Sequence, residues 1–471
     1  MVRPLLRSAA ERARALGHPI LASVKRAIPH HDPADVFAAA RAIAGGSCFY
    51  WEQPAQATAY VGIGAAATLT AVGDSSITEV ASLWRVLLED AVIATVPETP
   101  FTVQGGPICF GGFAFDPAAP RTPLWEGFPD GLLVLPELLI SSSTGESALT
   151  ANLLIEPSDD DAALERHADA LDLRLLRLRA ALERQQREQR SRAAASHTTP
   201  HDLRPASEWM SLVDEVSHEI RDGLYQKVVL ARGVEVSAEM PFDVQHALHR
   251  LRAAYPAASI FVFQRGQRCF LCATPERLAR VVDSTVHTIA LAGTAPRGAS
   301  DADDHALGEA LLHSEKNRRE HAIVVETIRR GIAPLVSSLD VAQSPHLLRL
   351  ANVQHLQTPI TGTLIPGKTI LDLVAALHPT PAVGGFPRDA AMTVIREREQ
   401  LDRGWYAGPT GWIGPGGDGE FAVALRSALV DGDHATLFAG CGIVADSEPQ
   451  REYEESCLKL RVMLDALRGA R

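Results

Sequence analysis

Cysteine is scarce for a chain this long: six thiols, Cys48, Cys109, Cys269, Cys272, Cys441 and Cys457, are spread over 471 residues. That spacing offers no disulfide framework, and a core of this size needs none, so a small cross-linked secreted fold is excluded and a reducing cytoplasm fits best. Cys269 and Cys272 make a lone C-x-x-C, but the Phe270 and Leu271 between them read as strand and not as a zinc knuckle. Positive charge is also in short supply. The formal net charge of −12 argues against nucleic acid or an anionic membrane surface as partner, and leaves room only for a local cationic pocket. The longest uncharged run, 53–73, is broken by Pro54 and by several Gln, Thr and Gly residues, so no membrane-spanning helix is expected. No G-x-G-x-x-G follows a strand to open a helix, which removes the dinucleotide fingerprint, and no repeat period stands out.

What is present is a globular composition, 46% hydrophobic and 22% charged. Residues 1–28, rich in Arg and Ala with Glu11 as the one acid, read as an amphipathic first helix in preference to a targeting segment. A leucine-rich helix is expected over 159–192, and the polar stretch 193–205 after it reads as an exposed connection. The chain is therefore divided at 195, into 1–195 and 196–471. Strands are expected at 48–51, 58–61 and 132–140 before that point, with a glycine-rich segment 110–115 between them. Beyond it they are expected at 227–235, 259–264, 269–273, 278–282, 286–291, 421–429 and 435–439. Helices are expected at 206–222, 243–254, 304–312, 314–332, 370–377, 388–401 and 449–467. Strands grouped together with helices irregularly interspersed predict an α+β fold.

Several side chains stand where their chemistry demands explanation. Glu320 lies four residues before Val324 on the core face of its helix, so it is either a carboxylate needing a cation, a proton or hydrogen bonds, or a boundary residue paired with a nearby Arg or Lys. Glu452, Glu455 and Lys459 are spaced to share one helix face. They form either a solvated pair worth ~0.2–0.5 kcal/mol or, beside the small-residue loop Gly440-Cys-Gly-Ile-Val444, part of an all-oxygen site suited to Mg²⁺. Lys227 opens the apolar run Val228-Val-Leu-Ala231, where desolvation lowers a lysine toward use as a general base; a lysine reaching out to water is the alternative. Glu276, after a strand and Pro275, is either an acid kept protonated by burial or a partner of Arg277 or Arg280. The glycine and proline clusters at 290–298 and 378–387, with Arg426, Lys459 and the Gly440 backbone, offer donors to a carboxylate-bearing substrate.

These stretches resemble the chorismate-utilising enzymes, and in particular isochorismate synthases. The resemblance covers about 207–467 and rests on Gln226-Lys-Val-Val-Leu-Ala-Arg232, Ala273-Thr-Pro-Glu-Arg-Leu278, Ala290-Leu-Ala-Gly-Thr294, 314–321, Val353-Gln-His-Leu356, 378–385, Arg403-Gly-Trp-Tyr-Ala-Gly408, Val423-Ala-Leu-Arg-Ser427 and 439–444. Tyr50-Trp-Glu-Gln-Pro54 and Phe110-Gly-Gly-Phe113 extend it weakly into the first half. It implies two similar α+β lobes whose antiparallel sheets form a layered core with helices outside, the N-terminal part completing that core. It implies water addition to the chorismate ring with allylic loss of the hydroxyl, Lys227 matching the base and Glu276 the acid. Glu320 and Glu455 match Mg²⁺ ligands, with Glu452 in the outer shell or bound through water. Arg426, Lys459, Tyr406 and the Gly440 backbone match contacts to the enolpyruvyl carboxylate; Gly293, Thr294, Ala382 and Val383 match ring contacts; and His355 matches a position near the reacting centre. Ala292, where aminodeoxychorismate synthases carry a nucleophilic lysine, and Lys227, where anthranilate synthases generally have glutamine, favour water over an amine and imply no obligatory glutaminase partner. Salicylate synthases share that lysine but go on to eliminate pyruvate, and their loop usually differs from Pro379-Thr-Pro-Ala-Val383, so isochorismate release ranks first.

Overall fold

The structure, a computed structural model, describes residues 2–96, 105–188, 198–349 and 353–468. Among them, apolar strands assemble into a 13-stranded and a 10-stranded sheet. Pairing is antiparallel except at one edge, where Ile20–Ile28 runs parallel to Val92–Thr95. The two sheets face each other across an aromatic core that includes Phe49, Phe110, Phe113, Phe263, Trp405 and Phe421. Aromatics make up only 6% of the chain, yet they concentrate here, where their large area contributes most to burial. The outer face of the larger sheet is covered by helices, among them Pro33–Arg41, Val244–Ala254 and Pro449–Arg468. This is the α+β architecture the sequence predicts. No described helix is long and apolar enough to cross a membrane.

Both sheets run continuously through both halves of the chain. Ser47–Gln53 pairs with Ser259–Arg265, and Cys109–Phe113 pairs with Pro409–Ile413. Trp51 stacks on Phe261 across the first of these seams at 5.3 Å. The division at 195 falls outside the described residues, and just after it Thr198–Asp202 is an edge strand beside Lys227–Ala238, where an exposed connection was expected. The helix expected over 159–192 runs Asp161–Glu188, and 189–192 lie outside the described residues.

Other expectations need correction. The first helix ends at Leu16, and Ile20–Ile28 is a strand: Gly17 at φ +77° and then Pro19 stop the helix, and the apolar run after them enters the sheet. The strand expected at 132–140 is two, Gly131–Leu135 in the smaller sheet and Leu138–Ser143 in the larger, with the chain crossing between layers at Pro136. The run 421–429 divides likewise into Gly419–Val423 and Ser427–Asp431. Period-two alternation tells which face a residue takes and says nothing of which sheet it joins. The helix expected over 388–401 is α-helical only over Arg388–Val394 and passes into a π-helical turn, Ile395–Glu399. The C-x-x-C lies in the strand Arg268–Thr274, and both thiols are buried.

Candidate active site

Lys227 begins the strand Lys227–Ala238, held between Gly385–Phe386 and His434–Ile443. The side chain lies across Gly442 of the neighbouring strand, where a Cβ would come within 2.7 Å of Lys227 Cε, so glycine there makes room for the lysine stem. Lys227 is half-buried, and its Nζ has no hydrogen bond or ion pair with a described residue. Burial pushes its pKa down, Lys459 adds to that, and the Glu320 and Glu276 carboxylates oppose it.

Glu276 follows Pro275 where the chain crosses from Arg268–Thr274 in the larger sheet to Arg277–Val282 in the smaller. Its N–H donates to Thr274 Oγ1 at 3.1 Å and its carbonyl accepts from Val423 N at 3.0 Å, which fixes the backbone. Glu276 lines a small cleft with Leu278, Leu291, Val324, Ile328 and Ala382 and with the polar Arg277, Thr288 and Thr380. Burial pushes its pKa up to about 7, opposed by Lys227 and Lys459. The alternative pairing with Arg277 or Arg280 does not occur. Both arginines turn to Glu420, at 3.1 and 3.6 Å, and Glu420 is only 2% exposed. Glu276 is left without a salt bridge, the condition a neutral acid requires.

The helices Glu315–Ile332 and Pro449–Arg468 bring the other carboxylates to the same region. Lys316, one turn before Glu320, contacts Asp446 at 2.5 Å, which sets the start of the first helix against the loop leading into the second. Glu452 and Glu455 have carboxylate oxygens within 4.8 Å of each other and of Cys441 Sγ. Glu320 is not part of that group and stands in electrostatic reach of Lys227. Glu452 has a raised pKa, mainly from burial and further from the charge of Glu455, although Ser447 Oγ donates to it at 2.7 Å. Two neighbouring carboxylates offer the oxygen donors that a hard divalent cation takes. Cys441 is no ligand for one: burial pushes its thiol up to about 12, and Sγ donates to the Glu452 carbonyl. The helix pair foreseen as the alternative is also present, Lys459 contacting Glu455 at 2.8 Å, but the same ammonium donates to the Gly440 carbonyl at 2.8 Å and so ties helix to strand.

The groups matched to substrate contacts gather around these. Arg426 lies at the crossing between Gly419–Val423 and Ser427–Asp431 at φ +50°, a costly conformation for a residue with a side chain and one that clusters at functional sites. Its guanidinium makes no hydrogen bond or ion pair with a described residue, and burial lowers its pKa. Tyr406 is buried and stacks on Phe438 at 5.2 Å, its hydroxyl 3.0 Å from the place a Gly440 Cβ would take. Gly293, at φ +74°, forms a bulge between Ala292 and Thr294 that turns Thr294 Oγ1 to His355 Nδ1 at 3.0 Å. Burial lowers the His355 pKa, which favours the neutral ring. Ala382 lines the cleft with Glu276, and Val383 N donates to the Thr380 carbonyl at 3.1 Å in the adjoining turn.

Sequence reasoning gave no role to Glu399 or Arg403. Their side chains are 0% and 4% exposed and form a buried ion pair behind the Lys227 strand. The i,i+4 spacing was visible, but it resembles the commonest surface pair, and nothing local announces the π-helical turn that carries Glu399 inward.

The chain matches the model of a family described as chorismate binding enzyme over residues 8–468. It is 40% identical to the salicylate biosynthesis isochorismate synthase of Pseudomonas aeruginosa, over 97% of this chain and 92% of that one. It is 35% identical to the isochorismate synthase MenF of Bacillus subtilis, over 98% and 97%. Among solved structures, the menaquinone-specific isochorismate synthase MenF of Escherichia coli superposes with a TM-score of 0.74 at 27% identity, covering 98% of this chain and 100% of that one. A half-buried lysine and a half-buried carboxyl without ion pairs among the described residues, and two neighbouring helix carboxylates, stand on a backbone shared over 97% or more of this chain with these enzymes, and the chain belongs to the chorismate-binding enzyme family.

Proposed function

We propose that the protein is an Mg²⁺-dependent isochorismate synthase, an isomerase that converts chorismate to isochorismate for a siderophore or menaquinone route. The observation that carries this reading is the pair Lys227 and Glu276: an amine and a carboxyl with no ion-pair partner among the described residues, within electrostatic reach of each other, the carboxyl's pKa pushed up by burial to about 7. Lys227 Nζ takes a proton from a water molecule as the water oxygen bonds to one ring carbon. The ring double bonds shift, the C–O bond at the far end of the allylic system breaks, and the Glu276 carboxyl gives its proton to the departing hydroxyl. One water is consumed and one released, with no redox change. Glu320 and Glu455 would hold Mg²⁺, with Glu452 in the outer shell or bound through water, and the ion would supply positive charge to neutralise the ring carboxylate. Arg426, Lys459 and Tyr406 receive the enolpyruvyl carboxylate, and Gly293, Thr294 and the Ala382–Val383 turn flank the ring. All six cysteines are free thiols, in keeping with a reducing cytoplasm.

The purified protein given chorismate and Mg²⁺ is expected to yield isochorismate on chromatography, and to lose turnover when a chelator is added. Added ammonium leaves the product unchanged if water is the nucleophile; an aminated product would show that ammonia takes its place. Stoichiometric salicylate and pyruvate would reassign the enzyme to the lyase branch.

A further inference from the structure

The strand Lys227–Ala238 has incomplete β pairing on one side. Phe386 and Gly385 pair with Lys227 and Val228, and Asp202 to Thr198 pair with Val234 to Ala238. Between them the strand edge would present unpaired amide groups in the interior, a state that costs about 1–3 kcal/mol per group. Main-chain groups meet the two ends of this stretch, Val229 N donating to the Gly384 carbonyl and Leu203 N to the Gly233 carbonyl, each at 3.0 Å, and side chains fill the middle. The Val229 carbonyl accepts from Arg403 Nη2 at 2.7 Å, and the Ala231 N–H donates to Glu399 Oε2 at 2.7 Å. Trp209 Nε1 donates to the Ala231 carbonyl at 3.1 Å. Arg403 is bidentate to Glu399, with Nε to Oε1 at 2.6 Å and Nη2 to Oε2 at 2.5 Å. Its remaining arm, Nη1, reaches the Val383 carbonyl at 3.2 Å, and the guanidinium lies over the Phe115 ring at 4.2 Å. The Arg403 carbonyl accepts from Tyr406 N at 2.8 Å, fixing the start of the turn that presents that tyrosine.

One buried ion pair therefore binds three of the elements that form the site. The π-helical turn Ile395–Glu399, closed by Gln400 at φ +59°, delivers Glu399 to the strand edge. A surface pair would have no reason to be so enclosed, and simple edge protection could be achieved by another strand.

We propose that Glu399 and Arg403 are positioning residues for the reaction, the pair setting the backbone that carries Lys227 through Val229 and Ala231, and Arg403 alone setting the ring-contacting turn through Val383. This rests on the isochorismate synthase reading. The two contacts predict different kinetic signatures. In Glu399→Gln one oxygen can still accept from Arg403 Nη2 and Ala231 N, but the amide NH₂ then faces the Arg403 Nε donor and the negative charge is gone, so the pair that holds the strand edge is weakened while the Val383 contact survives. There kcat is expected to fall about tenfold or more, as displaced catalytic groups do, with KM for chorismate little changed. Arg403→Lys keeps the charge but has one ammonium in place of a planar fork, so kcat falls and KM rises together.

The experiment is steady-state kinetics of both variants in saturating Mg²⁺, with circular dichroism and thermal melting to establish the folded fraction. A lower melting temperature with kcat and KM per folded molecule equal to the parent enzyme would make the pair structural only and overturn the proposal. If Glu399→Gln does not fold, the joint change of kcat and KM in Arg403→Lys decides alone. Isochorismate formation by the parent enzyme is measured in the same series, so failure of the proposed activity, seen in the parent, is distinct from failure of the positioning role, seen only in the variants.

Discussion

Lys227→Ala is expected to reduce kcat by about 10²–10⁴-fold, the usual contribution of a positioned general base, while the protein folds and still binds chorismate. The expectation follows from the surroundings of the amine. Burial lowers its pKa, and no ion pair holds its proton. Removing it deletes an unpaired polar group from the strand and leaves Val228 to Ile443 and the rest of the ladder intact. Stability should change little. Steady-state kinetics with a chorismate titration under non-turnover conditions separates the effects: unchanged turnover would remove Lys227 from the mechanism, and lost binding with unchanged turnover at saturation would make it a binding residue.

Glu276→Gln is expected to cost about the same, 10²–10⁴-fold in kcat, with a pH dependence that identifies the acid. In the parent enzyme the carboxyl must be protonated to act. Activity should decline as pH rises through about 7, where burial has placed its pKa. Lys227 must be deprotonated to act, and burial moves its pKa in the direction that favours the free amine. Glutamine cannot lose a proton, so the alkaline decline should vanish from the residual activity. The stability effect runs opposite to that of a structural glutamate. The folded-state pKa is raised from the ordinary 4.5 to about 7, so ionisation favours the unfolded chain as pH rises through that window. The glutamine variant is spared this penalty and should melt at the same or a higher temperature above pH 7. A lower melting temperature with normal activity would show that Glu276 serves the fold.

Lys227 and Glu276 stood out in sequence because each breaks a local rule, a lysine opening an apolar run and a glutamate after a strand-ending proline, while the roles proposed for them came from the resemblance to chorismate-utilising enzymes. Their isolation was not legible. Glu276 could have paired with Arg277 or Arg280, and only the arrival of Glu420 from Gly419–Val423 settles where those arginines go. The grouping of Glu452 with Glu455 followed from helix spacing, whereas the position of Glu320 depends on how two distant helices pack. Layer membership was hidden for the same kind of reason. Leu132 to Ile140 reads as one apolar run, although its two parts lie in different sheets. The polar edge strand Thr198–Asp202 has no apolar pattern to announce it and exists because Lys227–Ala238 offers it a partner. Glu399 and Arg403 show the limit most plainly: their acceptors and donors are main-chain groups more than 150 residues away, which no local pattern encodes.

The central claim is that an activated water supplies the new hydroxyl while the old one departs. Turnover in H₂¹⁸O, with mass analysis of isochorismate after a single conversion, tests it most directly. One ¹⁸O atom is expected in the product, located in the newly formed ring hydroxyl. Isochorismate free of label, its hydroxyl oxygen carried over from chorismate, would contradict the roles given to both Lys227 and Glu276.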